Sequence, residues 1–155
     1  MISNADIYLA IAEEALAESQ RLRALATSPM PDGLPGHVVA WDPQRKSFKQ
    51  SLIAIAFAGV YLEAVLYAVG ASRLGKSKYK KVEGTYEQKL KALGITDPAV
   101  LKECERFRKS RNDLVHEKAV EPQDFDTSSV RFAQHEAASG LALVKSLAAA
   151  LQNVP

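Results

Sequence analysis

The stretch SLIAIAFAGVYLEAVLYAVGA, residues 51–71, decides the fold, because its only charge is Glu63 and it is long enough to cross a bilayer. Two features argue against a membrane span. The segment is rich in alanine, and a carboxylate near its middle would cost about 3 kcal/mol on insertion scales. The rest of the chain supplies amphipathic helices able to wrap it. The expectation is therefore a buried central helix over about residues 44–71, apolar on nearly every side, with no membrane partner. Asp42 followed by Pro43 offers it an N-cap and a first helical position.

Upstream, residues 3–27 carry Ile7, Ile11, Ala15, Leu22 and Leu25 among Glu, Gln and Arg, a helix with one covered face. SPMPDGLPGHVVAWDP, residues 28–43, breaks that pattern with prolines and glycines and reads as a loop. Downstream, SRLGKSKYKKVEG is a polar connector, and TYEQ, residues 85–88, has the form of a capping box. It opens a short helix through Leu93 that Gly94 stops. Thr96, Asp97 and Pro98 start a helix that runs to about residue 118, before Pro122. A last helix, about 127–152, shows Val130, Ala133, Ala137, Leu141, Val144, Ala148 and Leu151 at near-heptad spacing. No segment alternates with the period of a strand. The fold class is all-α, an up-and-down bundle of four long helices plus one short helix. We read one domain over residues 1–155: an N-terminal helix (1–27), a Pro/Gly-rich loop (28–43) and the bundle core (44–152).

Composition narrows the function. With 47% apolar and 25% charged residues the chain is an ordinary soluble globular type. A net charge of +2 is too small to announce nucleic-acid binding, so any such binding must come from local clustering. The single cysteine, Cys104, excludes an internal disulfide, suits a reducing cytosol, and lies on an apolar stripe as a core residue. The N-terminus has early acidic residues and no basic region before an apolar core, so no signal peptide is expected and the location is cytoplasmic. No histidine or cysteine spacing suits a metal, and there is no phosphate loop or nucleophile elbow, so no cofactor is expected.

One misfit points to a site. In VLKECERFRKSRNDLVHEK, residues 100–118, the helical stripe Val100, Cys104, Phe107, Leu114 has an arginine, Arg111, where the seam calls for a leucine. An arginine there must snorkel out, pair with a buried acid, or line a cleft or subunit interface. Glu63 has the complementary problem, so a Glu63–Arg111 pair is the plain structural reading. Asn112 and His116 share a face one turn apart, with Arg108 extending it backwards. Arg111 and His116 are about 140° apart around one helix, so they converge on one ligand only with help, such as a second copy of the helix across a dimer interface. The run Arg73, Lys76, Lys78, Tyr79, Lys80, Lys81 could grip a phosphate backbone and stack a base, or be a solvated loop. A second basic group, Arg106, Arg108, Lys109 and Arg111, precedes His116 directly.

RNDLVH, residues 111–116, is an R-N-x-x-x-H sequence near a helix end in a small all-α protein, and it resembles the signature of the HEPN superfamily. FAGVYLEAVLYAV, residues 57–69, is similar to that family's apolar helix with one embedded acid, and YEQKLKALGI resembles the connector before its motif helix. The resemblance covers roughly residues 45–150. It implies a metal-independent endoribonuclease, often a toxin or antiviral effector, working as a homodimer with two motifs facing one cleft. An antitoxin or nucleotidyltransferase partner would fit the same picture. RNA cleavage without metal needs a proton acceptor for the 2′-OH, a cation for the phosphorane and an acid for the leaving oxygen. The resemblance assigns proton transfer to His116, phosphate binding to Arg111 and orientation to Asn112. On that reading Glu63 would hold Arg111 from behind, and Arg108, Lys109, Lys78, Tyr79, Lys80 and Lys81 would grip the RNA. The expected product is a 2′,3′-cyclic phosphate. Two other readings stay open: a HEPN-like module that binds RNA, nucleotide or protein without catalysis, and a purely structural bundle with Arg111–Glu63 as a core pair.

Overall fold

A computed structural model of the chain describes residues 4–31, 34–40, 42–82, 84–115 and 127–153. The described chain is mostly helical. Its helices are α1 (Ala5–Leu25), α2 (Lys46–Leu74), α3 (Lys76–Tyr79), α4 (Tyr86–Ala92), α5 (Pro98–Val115) and α6 (Thr127–Asn153). Helix α2 starts three residues later than expected: its N-cap is Arg45, in the left-handed conformation, not Asp42, and its first residue is Lys46, not Pro43, while the Asp42 carboxylate accepts the N–H of Gln44 at 3.0 Å in the turn before it. Two other helices start where local chemistry places the start. Gln88 Oε1 accepts the Thr85 N–H at 2.8 Å in the capping box of α4. Asp97 Oδ1 accepts the Ala99 N–H at 2.8 Å at the start of α5. The polar connector is not all loop, since Lys76–Tyr79 forms the single turn α3.

The Pro/Gly-rich segment corrects the sequence reading. Between α1 and α2 the chain forms an antiparallel hairpin, β1 (Thr27–Pro29) with β2 (His37–Val39), in the register Thr27↔Val39, Ser28↔Val38 and Pro29↔His37. Strands of three residues are too short to display an alternation, which is why none is visible in the sequence.

Helix α2 is the spine. Helix α1 runs antiparallel to it: the rings of Tyr8 and Phe57 meet at 6.2 Å. Some three turns along α1, the Ser19 hydroxyl bonds Ser51 Oγ at 2.8 Å and the Ser47 carbonyl at 2.9 Å. Helix α6 runs parallel to α2, with the Gln134 amide on the Ser47 hydroxyl at one end and the Arg73 guanidinium on the Leu151 carbonyl at the other. Along α6 Ala133, Ala137, Leu141, Val144, Ala148 and Leu151 are buried, as the heptad spacing implies, together with Leu147, Gln134 and Glu136, and the side chain of Val130 lies outside the described residues. The buried face of α1 matches the expected one only at Ala15. Ala5, Ala12, Ala15 and Ser19 are buried, while Ile7 is 57% and Leu25 73% exposed. Small side chains facing Ala54 and Ala58 on α2 let the two helices approach closely, and that outranks the larger apolar residues.

Short helices cover only part of what remains of α2. Helix α5 crosses it near Gly59 and Glu63 and presents Leu101, Cys104 and Phe107 to the core. By length and composition α2 could cross a membrane. The expectation of a buried central helix fails along one strip, where Ile53 is 38% and Tyr67 46% exposed.

Candidate functional site

Arg111 lies in the seam of α5 because α2 has no side chain opposite it. Its Cδ, Nε and Cζ pass across Gly59, so tightly that a Cβ on that glycine would overlap all three atoms. Four residues along the same face of α2 stands Glu63. The guanidinium then closes a three-residue network with α4. Arg111 Nη1 donates to Tyr86 Oη at 3.0 Å and to Glu63 Oε1 at 3.4 Å, and the Tyr86 hydroxyl donates to the same Oε1 at 2.7 Å.

The charges are unevenly solvated. The Arg111 side chain is 21% exposed and that of Glu63 48%, whereas Tyr86 is a core residue. Burial, helped by the hydrogen bond to Glu63 and its negative charge, pushes the Tyr86 phenol well above its ordinary value, so it acts as a neutral donor. All of Arg111's hydrogen bonds among the described residues run through Nη1. Its Nε is buried against Gly59 and has no hydrogen-bond partner among the described residues. Among the described residues Glu63 likewise uses only Oε1. Arg111 is thus anchored on one nitrogen, while Nη2 has no partner among the described residues.

The other nominated residues divide. Asn112 is exposed, next to Arg111 on α5. His116 lies outside the described residues. Lys78, Lys80 and Lys81 are exposed, and none has a carboxylate partner among the described residues. Tyr79 cannot serve as the stacking face expected of it. It is 5% exposed, its ring lies against Gly70 of α2, and burial raises its phenol pKa. Arg73 also leaves the basic run, since it donates to the carbonyls of Leu93 and Leu151 at the ends of α4 and α6.

The second basic group is matched cation by cation. Arg106 bonds both oxygens of the buried Glu136 at 2.6 and 2.9 Å, Arg108 meets Glu87 at 3.1 Å, and Lys109 meets Glu105 at 2.7 Å. Arg108 and Lys109 are therefore not the unpaired phosphate contacts that their clustering implies. Arg108 is a half-buried tie from α5 to α4, and Lys109 closes an exposed pair along α5 itself. Cys104 is fully buried, and burial pushes its thiol up to about 12, as befits a core residue.

Sequence reasoning misses Gly59 and Tyr86. The available signal for Gly59 was its place inside a helix, where glycine costs about 1 kcal/mol relative to alanine and so marks a close approach. For Tyr86 no local signal exists, because it reads as the first residue of a capped helix. Among the described residues no three His, Cys, Asp or Glu side chains gather as a metal site. A groove of about 530 Å³ between the end of α1 and the hairpin, lined by Gln20, Arg23, Thr27 and His37, holds none of the nominated residues. Comparison with protein-family models, curated proteins and solved structures returns no match.

Proposed function

We propose that the chain is a metal-independent endoribonuclease of HEPN type, acting in the cytoplasm on RNA at a cleft between two copies. The observation that supports it best is Arg111 itself. The side chain lies across Gly59 and is hydrogen-bonded to Tyr86 and Glu63, and its Nη2 has no partner among the described residues. An anchored guanidinium suits a phosphate whose charge grows in the transition state, because it needs no reorganisation when that charge appears. Asn112 stands exposed beside it, and His116 follows five residues on as the group for proton transfer near neutral pH. The 2′-OH gives its proton to one imidazole, the 2′-oxygen attacks phosphorus, and the 5′-oxygen leaves with a proton from an acid. The product is a 2′,3′-cyclic phosphate. The up-and-down order of the long helices belongs to the same reading, and the antiparallel α1–α2 contact supports it. A silencing antitoxin or nucleotidyltransferase partner is part of that proposal.

A second reading, a HEPN-like module that binds without cutting, is favoured by the pairing of Arg106, Arg108 and Lys109 with carboxylates, which removes much of the cationic surface along α5. The test is incubation of end-labelled single-stranded RNA with the purified protein in EDTA, beside folded His116→Ala and Arg111→Lys. Fragments ending in cyclic phosphate from wild type alone are expected. Intact RNA in all three lanes, with binding retained, would replace the nuclease by the binding module.

A further inference from the structure

The hairpin between α1 and α2 has two edges, and they are not alike. Its ladder closes through the Ala40 N–H on the Ala26 carbonyl at 2.7 Å and the Met30 N–H on the Gly36 carbonyl at 3.2 Å. In an antiparallel pair, residues bonded to their opposites alternate with residues whose N–H and C=O point outward. The register therefore turns Ser28 and Val38 inward. Thr27 and Pro29 on β1, and His37 and Val39 on β2, present their backbone groups to the outside. Pro29 has no N–H to offer, so the β1 edge is blunted. Nothing blunts β2. It holds no proline, lysine or carboxylate, and all three of its residues are exposed. Neither His37 nor Val39 has a backbone hydrogen-bond partner among the described residues.

The surroundings say what that edge accepts. Among the described residues seven large apolar side chains are exposed, and four of them, Leu25, Leu34, Val38 and Val39, belong to this hairpin or flank it. Its two faces differ in charge. Thr27, Pro29 and His37 line the groove of about 530 Å³ with Gln20, Arg23 and Ala24, so the ionisable groups of that lining are Arg23 and His37, with no carboxylate. Arg23 has no ion pair among the described residues. Val38 points to the opposite face. The Thr27 hydroxyl, donating to the Arg23 carbonyl at 2.7 Å, ties the hairpin to the last turn of α1. We infer that β2 is a docking edge for an extended segment of another protein, which adds to it as an antiparallel strand. The residues of that segment that bond to His37 and Val39 turn their side chains toward the groove, and these are acidic, opposite Arg23 and His37. The residue between them faces the Val38 side and is apolar. The groove holds none of the residues of the Arg111 network, so the docking edge stands whether or not the chain cuts RNA.

A fluorescein-labelled synthetic peptide of alternating valine and glutamate, titrated against the full chain and read by anisotropy, tests the edge. It binds, and N-methylation of its glutamate amides weakens binding about tenfold or more, since each lost donor at the ladder is worth about a hydrogen bond. N-methylation of its valine amides, which point away from β2, leaves the affinity within about twofold. Val39→Pro removes one outward N–H and spares the Ser28–Val38 pair, so its circular dichroism spectrum is unchanged while its affinity falls about tenfold. Arg23→Gln weakens the glutamate peptide by about threefold or more, as loss of a charge partner does. An absence of binding, or binding indifferent to which amides are methylated, would overturn the inference whether or not the variants fold. So would a preference for a valine–lysine peptide. A wild-type dimer in sedimentation that Val39→Pro dissociates would overturn it too, because the edge would then be occupied by a second copy of the chain.

Discussion

Replacing Gly59 with alanine puts a methyl group into atoms of Arg111, with Cδ and Cζ at 2.6 and 2.9 Å and Nε closer still. The backbone of α2 is held by α1 and α6, so the arginine has to move. Moving it loses the hydrogen bond from Nη1 to the buried Tyr86 hydroxyl, about 1.5–3 kcal/mol for a charged donor. The longer contact to the half-exposed Glu63 adds less than about 1 kcal/mol. Against this stands the helix propensity gained by removing a mid-helix glycine, about 1 kcal/mol. The net expectation is a loss of about 1–2 kcal/mol, or roughly 2–8 °C in Tm for a chain of this size. The informative comparison is the same substitution in an Arg111→Ala background. With no side chain across the glycine, the clash disappears, the propensity gain remains, and Gly59→Ala becomes stabilising by about 1 kcal/mol. Urea denaturation followed by circular dichroism reads all four corners of the cycle. If Gly59→Ala destabilises equally in both backgrounds, Arg111 does not lie over Gly59 and the site described above is wrong.

Alkaline stability reports on Tyr86. Its phenol pKa is raised in the fold, so the native state holds its proton where the unfolded chain has lost it. Its contribution is present below the unfolded value near 10 and falls as pH rises above it, by up to about 1.4 kcal/mol per pH unit. Urea midpoints between pH 9 and 11 should drop, and drop less steeply in Tyr86→Phe. Equal slopes would mean that the phenol is not buried against Glu63. Cys104, with its thiol pushed up to about 12, should resist aromatic disulfide reagents at pH 8 in the native state and react only as denaturant opens the core. Rapid labelling of the folded protein would contradict its burial in the core.

What the sequence disclosed follows the range of each interaction. The starts of α4 and α5 are legible because Thr85 with Gln88, and Asp97 with Ala99, act over two or three residues. The misfit of Arg111 is legible because it interrupts a stripe, and Glu63 because it is one charge in an apolar helix. The face of α1 is read correctly at Ala15 but misread at its ends, because periodicity gives weight to Ile7 and Leu25, whereas close helix approach selects Ala12 and Ser19. Charge clustering around Arg108 misleads for a related reason: the neutralising Glu87 and Glu136 come from other helices, 21 residues before Arg108 and 30 after Arg106. Tyr79 shows the same limit, since nothing in KSKYKK distinguishes an exposed ring from one folded back onto Gly70.

Whether Arg111 serves the fold or a ligand is a question about energy. A guanidinium left 21% exposed, with Nε buried and unpartnered, is a poor way to fill a seam. Replacing such groups by apolar ones of similar volume is usually neutral or stabilising, because desolvation of the charge is avoided. Arg111→Met together with Tyr86→Phe keeps the volume, removes both donors, and leaves Glu63 as a half-solvated carboxylate that needs neither. Stability should then stay within about 1 kcal/mol of wild type, the desolvation regained offsetting the hydrogen bonds lost. Arg111→Ala, which opens a void above Gly59 instead, should cost about 2 kcal/mol or more. Paired with the RNA assay, the two variants separate the roles. A stable double variant that has lost RNA cleavage or binding places the value of Arg111 in its chemistry. A double variant that loses 3 kcal/mol or more would make the Arg111–Tyr86–Glu63 network a folding element, and the argument for a phosphate site at Arg111 would fall with it.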